Sequence, residues 1–204
     1  MAELYSIPMI PLWVCSVVML ALIFERFCSL RCGRIMDPKL AKQMITHAEK
    51  GDLQSAQDDA SKSKTLVGKA WAQGLQEFHL GGVSLEEALT NATVLAFKPL
   101  KRNLQGINTI AVIAPLLGLL GTVIGMVLVF DEISVAQNPD KQKMAEGIMV
   151  ALFTTVFGIT IAVPGIVLGR FFHSRIVAFA DNVEADIDRI RFGHAHASSQ
   201  QDEK

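Results

Sequence analysis

The fold class this sequence predicts is an all-α integral membrane protein, with three transmembrane helices and long cytoplasmic helical extensions. Two observations predict it. Residues 4–24, 103–130 and 147–169 contain no Asp, Glu, Lys, Arg or His. The shortest run holds 21 residues, and at 1.5 Å per residue that is enough for a helix to cross a hydrocarbon core of about 30 Å. In addition, half of the 204 residues are apolar while 19% are charged, and the charges fall almost wholly outside the three runs. One transmembrane unit with a soluble insertion fits this better than several domains. The same missing charges limit function. A proton or cation crossing lipid needs groups that can be charged, and these runs offer hydroxyls, backbone and a few carboxamides but no acid or base, so any chemistry on charge has to be shared with a partner.

The elements follow in order. Residues 4–28 form the first transmembrane helix. Its leading segment has Glu3 and no Lys or Arg, it exceeds the length of a signal h-region, and it lacks an Ala-x-Ala exit, so an anchored helix is expected rather than a secretion signal. Its bulky Trp13, Met19, Leu20, Leu22 and Ile23 predict a peripheral, lipid-facing position. Residues 29–102 form a cytoplasmic helical segment. Asp37-Pro38 fits an N-cap followed by proline at the first helical position, and Gly51-Asp52 ends that helix and starts another. Val67, Ala70, Trp71, Leu75 and Phe78 give one apolar stripe, which Gly81-Gly82 closes. Ser84 and Glu87 fit a capping box. Pro99 strains what is otherwise a continuous or slightly bent helix into the second span.

Residues 103–130 are the second transmembrane helix, 131–146 a short periplasmic loop and 147–169 the third transmembrane helix. Residues 170–193 are a cytoplasmic amphipathic helix. Within it Phe172, Ile176, Phe179, Val183, Ile187 and Ile190 recur at intervals of 4, 3, 4, 4 and 3, a coiled-coil-like seam that packs either on its own chain or between subunits. Residues 194–204 are expected to be a disordered tail, in which His194 and His196 are a weak metal pair.

Basic residues near span ends stay cytoplasmic. Arg26, Arg31, Arg34, Lys98, Lys101, Arg102, Arg170 and Arg175 flank one side, while the other side has only Lys141 and Lys143. The N-terminus and the short loop are therefore expected outside and the C-terminus in the cytoplasm. Cys15 lies in a span, and Cys28 and Cys32 on the cytoplasmic side, so no disulfide is expected and their spacing is a weak metal or redox signal. A net charge of −1, with no basic patch interleaved with aromatics, gives no sign of a nucleic-acid partner.

Within lipid, helices associate where small residues let backbones approach. Gly118, Gly121, Thr122 and Gly125 of the second span, and Ala151, Thr155, Gly158, Ala162 and Gly165 of the third, predict close packing of these two. Pro115 and Pro164 each remove a backbone donor, which either shapes the packing or kinks the helices around a central space. Thr122, Thr154 and Thr155 lie among these glycines. A membrane threonine commonly bonds its own backbone at i−3 or i−4. With glycine on both sides, these three are expected instead to face an enclosed polar lumen as ion-pathway residues.

The run from Ala114 to Met126 (APLLGLLGTVIGM), with that from Gly147 to Gly158 (GIMVALFTTVFG) and with Ala162-Val-Pro164, resembles the ExbB/TolQ/MotA proton-channel family. Glu25-Arg26 and the run from Gly51 to Ala56 extend the likeness over nearly the whole chain, and three spans favour the ExbB/TolQ branch. The resemblance implies a homopentameric ring in a bacterial inner membrane, around a pore in which the helices of an ExbD- or TolR-like single-span dimer stand. That partner brings an aspartate, which threonines at the positions of Thr122 and Thr155 face. Ion flow is thought to turn one component against the other, and work reaches the envelope through a TonB- or TolA-like protein. Proton is the expected ion and sodium the alternative. The family places a glutamate where this chain has Val150, and Glu146 is a candidate cation-gathering acid at the outer mouth. A helix N-terminal acid favoured by the dipole is the plainer account of Glu146.

The charge inventory gives this an independent reason. A charge fixed at a helix centre costs about 2.5 to 3.5 kcal/mol, and one elementary charge crossing 100 mV gains about 2.3 kcal/mol. A partner carboxylate that alternates between protonated and ionised forms keeps these terms comparable. No catalytic residue, metal site or cofactor is expected, because Cys15 and Ser16 have no histidine or carboxylate near them in sequence. The other readings are a Tol-type or gliding motor subunit, a sodium-driven motor, and a membrane scaffold without an ion path.

Overall fold

The computed structural model describes residues 9–30, 35–135 and 140–202. Arg31, Cys32 and Arg34 of the orientation and cysteine readings lie outside the described residues, as do the first residues of the 4–28 span. Six helices are found among the described residues: α1 (Met9–Ser29), α2 (Pro38–Glu49), α3 (Leu53–Lys62), α4 (Leu66–Leu80), α5 (Leu85–Val135) and α6 (Lys141–Asp202). Three of them, α1, α5 and α6, contain stretches long and apolar enough to cross a membrane. The chain is an all-helical membrane protein. Two compact units are distinguished, one of Asn103–Phe172 with the residues up to Arg26, the other of Phe27–Arg102 with His173 onward.

The first unit contains α1 and the middle portions of α5 and α6. On α1 the buried residues Leu12, Met19 and Arg26 recur every seven positions, a seam only one residue wide, while Trp13, Val17, Leu20 and Phe24 are exposed. Met19 packs on Gly165 and Leu22 on Gly106, so the bulky residues of α1 fill spaces that glycines on α5 and α6 leave. Both longer helices pass through their prolines: α5 continues through Pro99 and Pro115, and α6 through Pro164. The helix expected at 103–130 is the centre of a longer one. The expected 131–146 loop is shorter than its boundaries, since α5 reaches Val135 and α6 starts at Lys141.

The second unit is built from capped helices around one aromatic core. Asp37 accepts from the Lys39 amide at 2.9 Å and Asp52 from the Ser55 amide at 3.0 Å. The Thr65 hydroxyl accepts from the Gly68 amide at 3.1 Å and Ser84 from the Glu87 amide at 3.2 Å. Each cap satisfies a donor that a first helical turn leaves free. The Ser55 hydroxyl and amide also hold the Asp52 carboxyl below the usual carboxylate range. Gly51 and Gly81 take φ of 74° and 83°, a left-handed backbone that glycine adopts without a Cβ penalty, so they stop their helices where the sequence places the breaks.

Trp71 is fully buried with Met44, Leu75, Leu89 and Ile190, and Gly74 brings α4 against the α5 backbone at Ala88 and Leu89. The seam of α6 is covered by its own chain: Ile176, Val183, Ile187 and Ile190 are buried, and Phe179 is half-buried. Truncating the largest side chain of this core, Trp71→Ala, is expected to destabilise the unit by about 3–5 kcal/mol, read as a lowered unfolding midpoint in detergent with the membrane helices retained.

The tail departs from expectation. Residues 194–202 continue α6 as helix rather than being disordered. No proline interrupts them. Gly193 lies against the backbone of Glu49, the His194 ring meets Phe78 edge-on at 6.1 Å, and Ser198 and Ser199 donate to the Ala195 and His196 carbonyls at 3.0 Å. Tertiary contact thus extends a segment whose polar composition alone suggests fraying.

Candidate functional site: a threonine pair in a glycine seam

Glycine determines how closely α5 and α6 pack. A Cβ on Gly118 would stand 2.9 Å from the Thr154 carbonyl oxygen and 3.1 Å from Thr155 Cα, one on Gly125 2.7 Å from the Gly147 carbonyl, and one on Gly158 2.6 Å from the Ala114 carbonyl. No side chain other than hydrogen fits at these points, so the backbones are in direct contact. In lipid such contact is gained through dispersion and weak polar interactions rather than through apolar burial.

The three threonines sit differently on this seam. Thr154 is fully buried, and its hydroxyl donates to the Ala151 carbonyl at 3.0 Å. Its side chain fills the space beside Gly121, where an added Cβ would lie 2.5 Å from Thr154 Cβ. Thr155, one residue on and turned by 100°, is half-buried and donates across the seam to the Gly118 carbonyl at 3.4 Å. Thr122 is half-buried and donates to Leu119 within its own helix at 2.6 Å. Thr122 and Thr155 therefore stand at the edge of the contact, and Thr154 inside it. The sequence carried a signal for this, because Ala151, Thr154, Gly158, Ala162 and Gly165 already form a 3- and 4-spaced row of small residues.

Thr155 and Thr122 meet at one acceptor. In an α-helix the Gly118 carbonyl accepts from the amide of residue i+4, which is Thr122, and the Thr155 hydroxyl reaches the same oxygen. The pair can solvate a charge with oxygen atoms. Neither residue binds or releases a proton near neutral pH.

Pro115 is half-buried and Pro164 is exposed. Glu146 is exposed and lies beyond the first turn of α6, which holds no acid. A macrodipole effect fades beyond the first turn, which weakens that account of Glu146. Val150 is half-buried. A different acid is engaged at this end of the unit: Glu132 accepts from the Asp140 amide and from Lys143 Nζ, both at 3.4 Å. It ties the end of α5 to the start of α6, a role that spacing across a loop does not reveal.

At the other end, Arg26 counted in the sequence as a surface cation but is only 2% exposed. Its Nε and Nη2 donate to the two Glu25 oxygens at 2.7 and 2.8 Å, and Asn103 donates to Glu25 at 3.4 Å. The fork lies within α1, and the Asn103 bond to the same carboxylate links α1 to α5.

The MotA/TolQ/ExbB proton channel family matches residues 62–185, a span that holds the three threonines and every glycine of the seam. An ExbB homologue described as a biopolymer transport protein in Methanothermobacter thermautotrophicus is 29% identical over 165 residues, covering 81% of this chain and 58% of that protein. A biopolymer transport ExbB-like protein of Synechocystis is 27% identical over 169 residues, covering 81% and 66%. Biopolymer transport protein exbB1 of Vibrio cholerae is 41% identical over a shorter stretch of 64 residues, 31% of this chain and 28% of that protein. The chain thus spans about three-fifths of the length of the first two relatives. With the family match covering most of its length and all of the glycine and threonine seam, the chain belongs to the MotA/TolQ/ExbB proton channel family.

Proposed function

We propose that this protein is the pore-forming subunit of an ion-driven inner-membrane motor, coupling proton-motive force to work in the cell envelope such as TonB-dependent transport. The observation that carries the reading is the Thr122 and Thr155 pair: two half-buried hydroxyls at the edge of a glycine seam, one on the Leu119 carbonyl and the other on the adjacent Gly118 carbonyl, in spans that hold no titratable side chain. Hydroxyls prepared to solvate a charge, with no acid of their own, fit a carboxylate brought by a second chain. In this reading five copies surround a dimer of an ExbD- or TolR-like single-span protein, a TonB- or TolA-like protein receives the work, the N-terminus is periplasmic and the C-terminus cytoplasmic. The relatives' names, which specify biopolymer transport, support the same reading.

The test is native mass and ion flux of the purified complex, with and without the co-expressed single-span partner. Proton flux in vesicles is expected only with the partner, and replacing sodium by potassium at constant proton-motive force is expected to leave it unchanged. Selective conduction by this subunit alone would overturn the borrowed-acid mechanism, and loss on sodium removal would make the motor sodium-driven. A scaffold without an ion path is favoured by one observation, the Thr122 hydroxyl satisfied within its own helix.

Val150 gives a further test. A half-buried valine stands four residues into the 147–169 run, where the resemblance expects glutamate. Val150→Glu is expected to leave coupled activity within about twofold, and a large gain would show that the native position limits coupling. An acid this near the end of a span costs less than the roughly 2.5–3.5 kcal/mol of the helix centre, so assembly should survive the change.

A further inference from the structure

Along α5, Thr122, Pro115 and Asn108 recur at intervals of seven, so they share one face of the helix. The face continues the edge on which Thr122 stands, about 21 Å toward the other end of the span at 1.5 Å per residue. Thr122 and Pro115 are half-buried and Asn108 is exposed. Across from Asn108 is Gly169 of α6, whose absent side chain makes room for the carboxamide: a Cβ there would lie 2.7 Å from Asn108 Oδ1 and 3.5 Å from Ile107 Cγ2.

The carboxamide shares a face with Thr122 but, unlike that threonine, makes no hydrogen bond to the protein among the described residues. Asn103 donates to Glu25. Thr109, Thr122, Thr154, Thr155 and Thr160 each donate to a carbonyl. Among the described residues no hydrogen bond is made to or from the Asn108 side chain. An amide left unsatisfied beside hydrocarbon is costly, and one on the same face as the threonine pair is satisfied if that face is wet. A carboxamide can both accept from water and ligate a cation through Oδ1, while being unable to take up the proton itself.

We propose that the Asn108 carboxamide, in the space that Gly169 leaves open, is a water- and cation-solvating station on the inner half of the ion path that begins at Thr122 and Thr155. This rests on the motor reading above. Asn108 acts as a positioning residue: it holds water or a hydrated ion between the threonine pair and the cytoplasm, and the partner's acid carries the proton.

The test is proton flux in vesicles holding the complex with its single-span partner, with Thr155→Val measured alongside. Asn108→Leu, of similar size and apolar, is expected to lower flux at least tenfold with native mass unchanged, and Asn108→Gln to restore most of it. Gly169→Ala, whose methyl group displaces the carboxamide without removing it, is expected to lower flux by a smaller factor. It reads the same claim if Asn108→Leu fails to assemble. Undiminished flux in assembled Asn108→Leu, or in Gly169→Ala where Asn108→Leu does not assemble, overturns the station. If Thr155→Val still abolishes flux, that result leaves the motor reading standing. Absence of flux from the unmodified complex would instead defeat the motor reading, and the station with it.

Discussion

Thr155→Val is expected to abolish energy-dependent function while leaving the assembled complex intact. The substitution replaces a hydroxyl by a methyl of nearly the same shape, so the glycine seam on either side keeps its contacts. The lost bond is long, 3.4 Å to the Gly118 carbonyl. That carbonyl keeps its helical partner, the Thr122 amide, so no buried acceptor is stranded. Interhelical hydrogen bonds in membranes average about 0.6 kcal/mol, too little to dismantle a helix pair whose backbones touch at Gly118, Gly125 and Gly158. Function has more to lose. A partner carboxylate in its ionised form needs donors, and in these two spans few side chains other than threonine hydroxyls can donate. In the proposed motor, loss of the Thr155 hydroxyl raises the energy of the ionised state and the proton stays on. Envelope energisation in cells and the native mass of the purified complex check the two halves, with Thr155→Ser expected to retain activity. Equal activity of Thr155→Val and the unmodified protein would favour the scaffold.

The helical class and the three spans were legible in the sequence because charge exclusion over 21 residues or more is a strong signal. Helix breaks at Gly51 and Gly81 and caps at Asp37, Asp52 and Ser84 were legible because each needs a particular residue type at a particular place. Three things were not. Thr154 and Thr155 are identical in kind and adjacent in sequence, and only the 100° turn between them places one in the seam and the other at its edge. Arg26 counts as surface charge in any composition reading, yet Glu25 and the packing of α1 bury it. The segment after Gly193 has the polarity of a frayed end, and the contacts at its start, Gly193 with Glu49 and His194 with Phe78, are with distant residues that no local pattern connects to it.

Substitution of the seam glycines has the largest expected structural effect, and two of them separate the possible causes. On Gly158 a methyl group would meet the Ala114 carbonyl oxygen at 2.6 Å and Gly118 Cα at 3.2 Å. Both are backbone atoms of a helix that cannot yield locally, so α5 and α6 must move apart along the seam. Gly158→Ala is therefore expected to cost at least the roughly 1–3 kcal/mol typical of overpacking, seen as loss of the assembled complex or a steep fall in its thermal midpoint. On Gly121 the methyl would instead strike the side chain of Thr154, which is fully buried and has nowhere to turn. Gly121→Ala should be similarly damaging alone, but Thr154→Ala removes the obstruction, and the double variant should recover a coupling energy of about 0.5–3 kcal/mol. No such partner exists for Gly158→Ala, because a carbonyl oxygen cannot be mutated away. Recovery in the first case and none in the second would establish side-chain packing at Gly121 and backbone contact at Gly158. A harmless Gly158→Ala would mean that the helices do not approach this closely, and the shared carbonyl between Thr122 and Thr155 would then lose its structural basis.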